Sequence, residues 1–136
     1  MVRQILEHGR VTDSVPVVEL LRKDSLDLTK SDRAAIRAAV TASEASAIVV
    51  THGTDTMIST ARELMGIADK TVVLTGALQP GRFADSDAPF NLGMALGAAQ
   101  SLPPGVYIVA NGRVFAADRV QKNLTLNRFE SIDAAN

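Results

Sequence analysis

Cysteine and tryptophan are both absent from the 136 residues of this chain, and only two histidines occur. Without cysteine the chain can form no disulfide, no thiolate metal site and no cysteine nucleophile. Two histidines without any thiolate are also a poor donor set for zinc. We therefore expect no metal ion and no other cofactor.

A strong net charge and a long apolar run are missing as well. The formal net charge is -1, so the chain lacks the basic field that draws nucleic acid. No apolar stretch approaches the roughly 20 residues of a membrane-spanning helix, and residues 1–7 do not resemble a secretory signal. We expect no nucleic-acid partner, no membrane association and a cytoplasmic location. The length suits one domain with its own core, which we expect to span residues 1–136.

Strand and helix patterns alternate along the chain. Strands are predicted at residues 15–21, 47–50, 71–75, 105–110 and 113–116, and helices at 1–8, 29–40, 57–68 and from 87 to the Leu-Pro-Pro of 102–104. Asn111-Gly112 is typical of a hairpin turn near the C-terminal end. The alternation predicts an α/β fold, in which helices cover both faces of a parallel sheet. Residues 118–136 are polar, and their pattern predicts no element.

The helix that begins near Asp87 is predicted to have an apolar face. Phe90, Met94 and Ala98 follow one another at a spacing of four residues, which places them on one side of a helix. Gly93 and Gly97 are also four residues apart, and we expect them to allow another backbone segment to approach closely.

Thr54 and Asp55 are the first candidates for chemistry. They lie in the turn His-Gly-Thr-Asp-Thr of residues 52–56, directly after a predicted strand and before a helix. Open parallel sheets bind ligands at the carboxyl ends of their strands. A hydroxyl there can act as a nucleophile or proton relay, and a carboxylate can hold a cation. Both residue types are equally favoured as helix N-caps, so the spacing alone leaves the two interpretations open.

Lys122 is the second candidate. A threonine hydroxyl is a poor nucleophile and needs a base or a nearby cation, and a lysine held against a carboxylate can provide one. Taken alone, however, a lysine in a polar segment is usually solvated.

The remaining polar candidates have structural alternatives. His52 could act as a base, although its position directly after a strand fits a structural hydrogen bond, and His8 is expected on the surface. Asp27, Asp85 and Asp87 could form a carboxylate cluster or could serve as caps and turn residues. The chain contains neither a P-loop nor a dinucleotide-binding glycine motif.

Residues 47–57, Ala-Ile-Val-Val-Thr-His-Gly-Thr-Asp-Thr-Met, resemble the second signature of the bacterial-type L-asparaginases. Four other segments resemble stretches of that family in the same order. They are 24–29 (Asp-Ser-Leu-Asp-Leu-Thr), similar to a substrate-binding serine segment; 75–80 (Thr-Gly-Ala-Leu-Gln-Pro), similar to a Gly-Ala-x-x-Pro loop; 85–92, similar to a Ser-Asp-Gly-Pro-Phe-Asn-Leu helix start with Ala88 in place of glycine; and 119–123 (Arg-Val-Gln-Lys-Asn), similar to the catalytic-lysine stretch.

The resemblance implies a flavodoxin-like fold and a Thr-Lys-Asp centre made of Thr54, Lys122 and Asp55, with Thr54 as one of two essential threonines. Asp55 would hold the α-ammonium of the substrate and Ser25 its α-carboxylate, while backbone N–H groups near Thr54 and Ala77 would stabilise the oxyanion. The implied substrate-binding residues are Ser25, Gly53, Thr54, Asp55 and Ala77. The implied reaction is hydrolysis of L-asparagine to L-aspartate and ammonia through an acyl-enzyme, in a homo-oligomer.

Two elements of that family lack a counterpart in this sequence. One is a Gly-Gly-Thr-Ile motif with the other essential threonine, since the chain contains no Gly-Gly pair; the other is the smaller C-terminal domain. We therefore expect a short, single-domain form that is truncated at its start. Two alternatives to asparagine hydrolysis stay open: a non-catalytic amino-acid-binding remnant, and an amidase for glutamine or a larger amide.

Overall fold

A four-stranded sheet forms the centre of the computed structural model, which describes residues 1–79 and 86–132. Its strands are β1 (Ala47–Thr51), β2 (Thr71–Thr75), β3 (Gly105–Ala110) and β4 (Arg113–Ala116), and a separate hairpin consists of β5 (Val120–Asn123) and β6 (Arg128–Ser131). The helices are α1 (Val2–His8), α2 (Lys30–Ala42), α3 (Met57–Glu63) and α4 (Ala88–Ser101), with single 3₁₀ turns at Ser25–Asp27 and Thr54–Thr56. The sheet order is β1-β2-β3-β4, and only β4 is antiparallel to its neighbour.

Helices cover both faces of this sheet. Side chains of successive strand residues point to opposite faces, and those of β2 pack against helices on both faces. Val73 packs against α4, whereas Val72 and Leu74 pack in the larger core with residues of α2 and α3. The predicted α/β fold with a mostly parallel sheet is therefore confirmed. Within the described residues, no helix combines the length and apolarity that crossing a membrane requires.

The central strand and the edge strand differ in burial. All five residues of β2 are buried, because β2 has a neighbour on each side and a helical layer on each face. β1 is only partly buried, and among the described residues it pairs with β2 alone. The parallel register joins Thr51 to Thr75, and His52 N donates to Thr75 O at 2.9 Å. The segments that follow the two strands therefore leave the sheet side by side.

Local sequence signals account for several elements. Thr29 and Asp32 form the predicted capping box at the start of α2, in which each side chain accepts a backbone N–H of the other residue. Asn111 and Gly112 both have positive φ angles, 57° and 69°, as a tight hairpin turn requires. The hairpin of β3 and β4 is therefore confirmed.

The strand predicted at residues 15–21 is wrong. The structure assigns no strand there, and Val18 is 79% exposed. An isolated extended segment gains no ladder hydrogen bonds, and apolar residues alone cannot supply them. Leu21 is the residue of this segment that packs against the larger core.

Two helix predictions need correction. α3 ends at Glu63 rather than at residue 68, because Gly66 adopts a φ of +90°, a conformation that terminates helices. In α4, Met94 and Ala98 of the predicted face pack against the core on that side of the sheet. Phe90 is 66% exposed, and the buried residues are Ala88, Asn91, Leu92, Ala95 and Ala99. The helix is apolar on most sides, so periodicity could not select the core face.

The expected close approach at Gly93 and Gly97 is also wrong. A Cβ at either position would meet no described atom within 4 Å. The hairpin of β5 and β6 was not predicted, because its sequence is polar and lacks strand alternation. Asp85 and the Pro80 of the Gly-Ala-x-x-Pro segment lie outside the described residues.

Candidate active site

The turn after β1 presents the Thr54 and Asp55 side chains. It begins at Gly53, passes through the 3₁₀ turn Thr54–Thr56 and continues directly into α3. No side-chain cap hydrogen bond forms at the start of the 3₁₀ turn or of α3. Helix capping therefore does not explain why a hydroxyl and a carboxylate occur here.

Lys122 reaches this turn from β5. Its Nζ donates to Thr54 Oγ1 at 2.9 Å and lies 3.2 Å from Asp55 Oδ1, although the residues are 68 and 67 positions apart in the chain. The lysine side chain is 10% exposed and that of Asp55 is 50% exposed. Nζ also lies 6.0 Å from the ring centroid of Phe129, which pairs with Lys122 across the β5–β6 hairpin. A nearly buried ammonium with a hydroxyl, a carboxylate and an aromatic ring around it is held in one place.

Ser25 lies beneath the same turn. Its carbonyl oxygen accepts the Thr56 hydroxyl at 2.7 Å, and a Cβ added to Gly53 would lie 2.9 Å from Ser25 Oγ. Only glycine therefore allows the turn to lie this close to the serine. Ser25 is 4% exposed, and its Oγ has no hydrogen-bond partner among the described residues. A rotation about χ1 is needed before this hydroxyl can reach a ligand.

The segment after β2 lies against the turn after β1. A Cβ added to Gly76 would be 2.1 Å from the carbonyl oxygen of His52, so the two backbones touch at this glycine. Asp87 accepts hydrogen bonds from Leu78 N at 3.1 Å and Gln79 N at 3.0 Å. Asn91 Nδ2 donates to Gly76 O at 2.8 Å and to Asp87 Oδ2 at 3.0 Å. Residues 76–79, which include Ala77, are thus held from the start of α4.

Comparisons with known proteins identify the family of this chain. The sequence profile described as "Asparaginase, N-terminal" matches residues 2–136. The chain belongs to the asparaginase family. It is 37% identical over 122 residues to an L-asparaginase of Thermococcus kodakarensis, a match that covers 85% of this chain and 37% of that protein. It is 39% identical over 92 residues to L-asparaginase 2 of Escherichia coli, covering 62% of this chain and 26% of that protein.

Solved asparaginase structures have the same fold. The probable cytoplasmic L-asparaginase of Campylobacter jejuni superposes with a TM-score of 0.85 at 25% identity, covering 96% of this chain and 46% of that one. The thermostable L-asparaginase of T. kodakarensis gives a TM-score of 0.77 at 32% identity, covering 95% of this chain and 43% of that one. The chain therefore spans less than half the length of these relatives.

His52 makes structural contacts in this asparaginase-family fold. Its Nε2 lies 2.8 Å from Thr60 Oγ1 and its Nδ1 lies 2.6 Å from Gly53 O. Burial lowers the pKa of His52 below its ordinary value, the hydrogen bond with Gly53 opposes this, and the positive charge of Arg33 adds to the lowering. Both ring nitrogens are engaged by groups other than Thr54. The structural alternative for His52 therefore fits its contacts better than a general base does.

The remaining candidates lie apart from the Lys122 contacts. His8 is exposed in the last turn of α1, and Asp27 is exposed in the 3₁₀ turn that contains Ser25. Asp87 accepts hydrogen bonds from the loop after β2, and because Asp85 lies outside the described residues the carboxylate cluster stays a prediction. Across residues 1–79 and 86–132, no three His, Asp or Glu side chains converge as a metal site would need.

Sequence reasoning missed the residues that support the site. Asp87 was interpreted as a helix start, but its carboxylate reaches back to residues 78 and 79. Asn91 is 1% exposed in the first half of a largely apolar helix. A carboxamide with apolar residues on both sides is the signal that could have found it, because buried amides need hydrogen-bond partners.

Proposed function

We propose that this chain supplies the Thr-Lys-Asp centre of an amidohydrolase that converts L-asparagine to L-aspartate and ammonia. The main support for this proposal is the contact of Lys122 Nζ with Thr54 Oγ1 at 2.9 Å and with Asp55 Oδ1 at 3.2 Å. The names of the relatives from T. kodakarensis and E. coli, both L-asparaginases, support the same substrate.

The proposed reaction has two halves. In the first, a threonine oxygen bonds to the side-chain amide carbon, the carbon–nitrogen bond breaks, and ammonia leaves with the hydroxyl proton. In the second, water attacks the acyl carbon, the ester bond breaks, and the threonine regains its proton. The contact between Thr54 and Lys122 serves the proton transfers in both halves, since a lysine that has passed on a proton can take one from the hydroxyl.

Substrate recognition follows from the groups around this pair. Asp55 is half exposed, so its second carboxylate oxygen is proposed to receive the α-ammonium of the substrate. Ser25 is proposed to bind the α-carboxylate after rotation of its side chain, which would give its buried Oγ a partner. The backbone N–H groups of Thr54 and Ala77, on two touching segments, are proposed to stabilise the oxyanion.

Ammonia release from L-asparagine tests this proposal. We expect Lys122→Met and Thr54→Val to abolish the activity of the chain while leaving its folding largely intact. Lys23→Met is the matched control, because Lys23 Nζ also contacts a carboxylate, Asp32 Oδ2, at 2.9 Å but makes no hydrogen bond with Thr54. Full turnover in both site variants would show that the Thr-Lys-Asp assignment is wrong.

A second candidate substrate is L-glutamine. The chain is 38% identical over 85 residues to a glutaminase-asparaginase of Acinetobacter glutaminasificans, covering 59% of this chain and 26% of that protein. One methylene group in a pocket changes transition-state binding by about 1–3 kcal/mol. The ratio of kcat/KM for the two amides therefore decides between them. A chain that binds L-aspartate in calorimetry but hydrolyses neither amide would be a binding remnant.

We further propose a cytoplasmic homo-oligomer. The name of the C. jejuni neighbour, a probable cytoplasmic L-asparaginase, supports the location. The turn of the β5–β6 hairpin, which follows Lys122 in the sequence, exposes most of Leu124 and Leu126. Exposed apolar side chains of this kind are often buried against another subunit, which supports the oligomer. Sedimentation velocity over a range of concentrations tests the assembly, and a monomer at every concentration would contradict it.

A further inference from the structure

A chain of hydrogen bonds runs from α2 through α3 to the candidate active site. Arg33 Nε donates to Thr60 Oγ1 at 3.2 Å. The same Thr60 oxygen lies 2.8 Å from His52 Nε2, and His52 Nδ1 lies 2.6 Å from the carbonyl oxygen of Gly53. Thr60 is fully buried, so water does not reach its hydroxyl, whereas the contact of His52 with Gly53 is exposed.

The partners restrict the directions of these bonds. A carbonyl oxygen only accepts, so His52 Nδ1 must carry the hydrogen that faces Gly53. A guanidinium only donates, so Thr60 Oγ1 accepts from Arg33, and its own hydrogen remains available for His52 Nε2. These contacts fit the neutral tautomer with its hydrogen on Nδ1, in which Nε2 accepts from Thr60. The lowered pKa of His52, caused first by burial, agrees with a neutral ring.

The bond to Gly53 O acts on the group proposed to bind the oxyanion. The carbonyl of Gly53 and the N–H of Thr54 belong to one planar peptide unit and point in opposite directions. Holding the carbonyl therefore also sets the direction of the Thr54 N–H. Donation to the carbonyl oxygen also polarises the peptide, which strengthens its N–H as a donor.

We infer that His52 is a positioning residue, which Thr60 and Arg33 hold so that its Nδ1–H orients the Gly53–Thr54 peptide as an oxyanion-binding donor. This inference rests on the proposed amidohydrolase function. His52 contributes through the peptide and does not exchange protons with the substrate, because both its nitrogens are engaged elsewhere.

A threonine series tests the chain at its buried link. Thr60→Val removes the hydroxyl at nearly constant volume, and Thr60→Ser retains it. Thr41→Val is the matched control, since the Thr41 hydroxyl bonds the Arg37 carbonyl at 2.8 Å on the exposed side of α2. We expect Thr60→Val to lower kcat for L-asparagine about tenfold with KM nearly unchanged, less than the loss of a whole oxyanion donor. Thr60→Ser should restore kcat, and Thr41→Val should not change it.

Nuclear magnetic resonance separates failure of this inference from failure of the proposed function. The ¹⁵N shifts of the His52 ring should report hydrogen on Nδ1. The ¹⁵N shift of the Thr54 amide, which responds to hydrogen bonding at the Gly53 carbonyl of the same peptide, should change in Thr60→Val but not in Thr41→Val. These readouts need no turnover, so they hold even if the chain hydrolyses no amide. Hydrogen on Nε2 and not on Nδ1 in the wild type, or an unchanged Thr54 shift in Thr60→Val, would overturn the inference.

A pair of variants at residue 52 covers the case in which Thr60→Val does not fold. His52→Asn can keep a donor near the position of Nδ1, whereas His52→Leu removes it. We expect the wild-type ¹⁵N shift of the Thr54 amide and most of kcat to be kept in His52→Asn and lost in His52→Leu. Equal Thr54 shifts in the asparagine and leucine variants would contradict the positioning role.

Discussion

The turn after β1 and the loop after β2 leave the same end of the sheet and touch at Gly76, yet they are held by different groups. Imidazole and hydroxyl side chains fix the first through Thr60 on α3. A carboxylate and a carboxamide, Asp87 and Asn91 at the start of α4, fix the second.

This difference assigns each helical layer its own part of the site. α2 and α3 cover one face of the sheet and support the turn that presents Thr54 and Asp55, while α4 covers the other face and supports the loop containing Ala77. The candidate site is therefore formed only where both layers are docked. A change that loosens either layer should damage the site even without touching Lys122.

The largest expected effect comes from a side chain that forces the two touching segments apart. Gly76→Ala would place a Cβ 2.1 Å from the His52 carbonyl oxygen, so one backbone must move. We expect a loss of about 3 kcal/mol or more in the free energy of unfolding, measured by urea denaturation. Gly97→Ala is the control, because its Cβ would meet no described atom within 4 Å. It should stabilise α4 by about 0.5–1 kcal/mol, and equal losses in both variants would contradict the tight contact.

A smaller effect is expected from releasing the loop after β2. Asp87→Ala removes the acceptor of Leu78 N, Gln79 N and Asn91 Nδ2. We expect a loss of about 2 kcal/mol in the free energy of unfolding, because partly buried donors lose their partner, together with a lower kcat. Asp13→Ala, at an exposed position, should change stability by less than about 0.5 kcal/mol. An Asp87 variant as stable as the Asp13 variant would show that the loop does not depend on this carboxylate.

The turn after β1 is expected to affect ligand binding more than stability. Asp55→Ala should weaken L-aspartate binding about tenfold or more, equivalent to about 1.4 kcal/mol, since the ammonium of the ligand would lose its carboxylate. Calorimetry measures this affinity. Asp27→Ala, which removes an exposed carboxylate near Ser25, controls for charge alone. Unchanged aspartate affinity in the Asp55 variant would argue against its role in binding the ammonium.

The smallest expected effect is a pH dependence from His52. Burial lowers its folded pKa relative to an unfolded value of about 6.5, so the unfolded chain binds the proton more readily. The contribution of His52 to stability is then complete above about pH 6.5 and is lost as the pH falls toward the folded pKa. Unfolding midpoints measured across this range should fall more steeply for the wild type than for His52→Leu. Parallel curves would show that His52 protonation is not linked to folding.

Much of the backbone could be predicted because its signals are local. The capping box of Thr29 and Asp32, the Asn111-Gly112 turn and the apolar runs of β1, β2 and β3 each depend on residues only a few positions apart. The strand predicted at 15–21 was wrong for the opposite reason, because a strand needs a partner that its own sequence does not contain. On α4, Met94 and Ala98 pack against the core but Phe90 is exposed, because a helix that is apolar on most sides has no preferred core side.

The candidate site likewise has a part that local sequence predicts and a part that depends on distant contacts. The sequence by itself determined that a hydroxyl and a carboxylate follow a parallel strand, because the strand, turn and helix are encoded within about twenty consecutive residues. Only the tertiary structure decided that Lys122 meets them from 67 and 68 positions away, that Asp87 holds the neighbouring loop, and that His52 contacts Thr60 and Gly53. Local backbone preferences act over a few residues, whereas contacts between distant segments form only when the helical layers and the β5–β6 hairpin pack together.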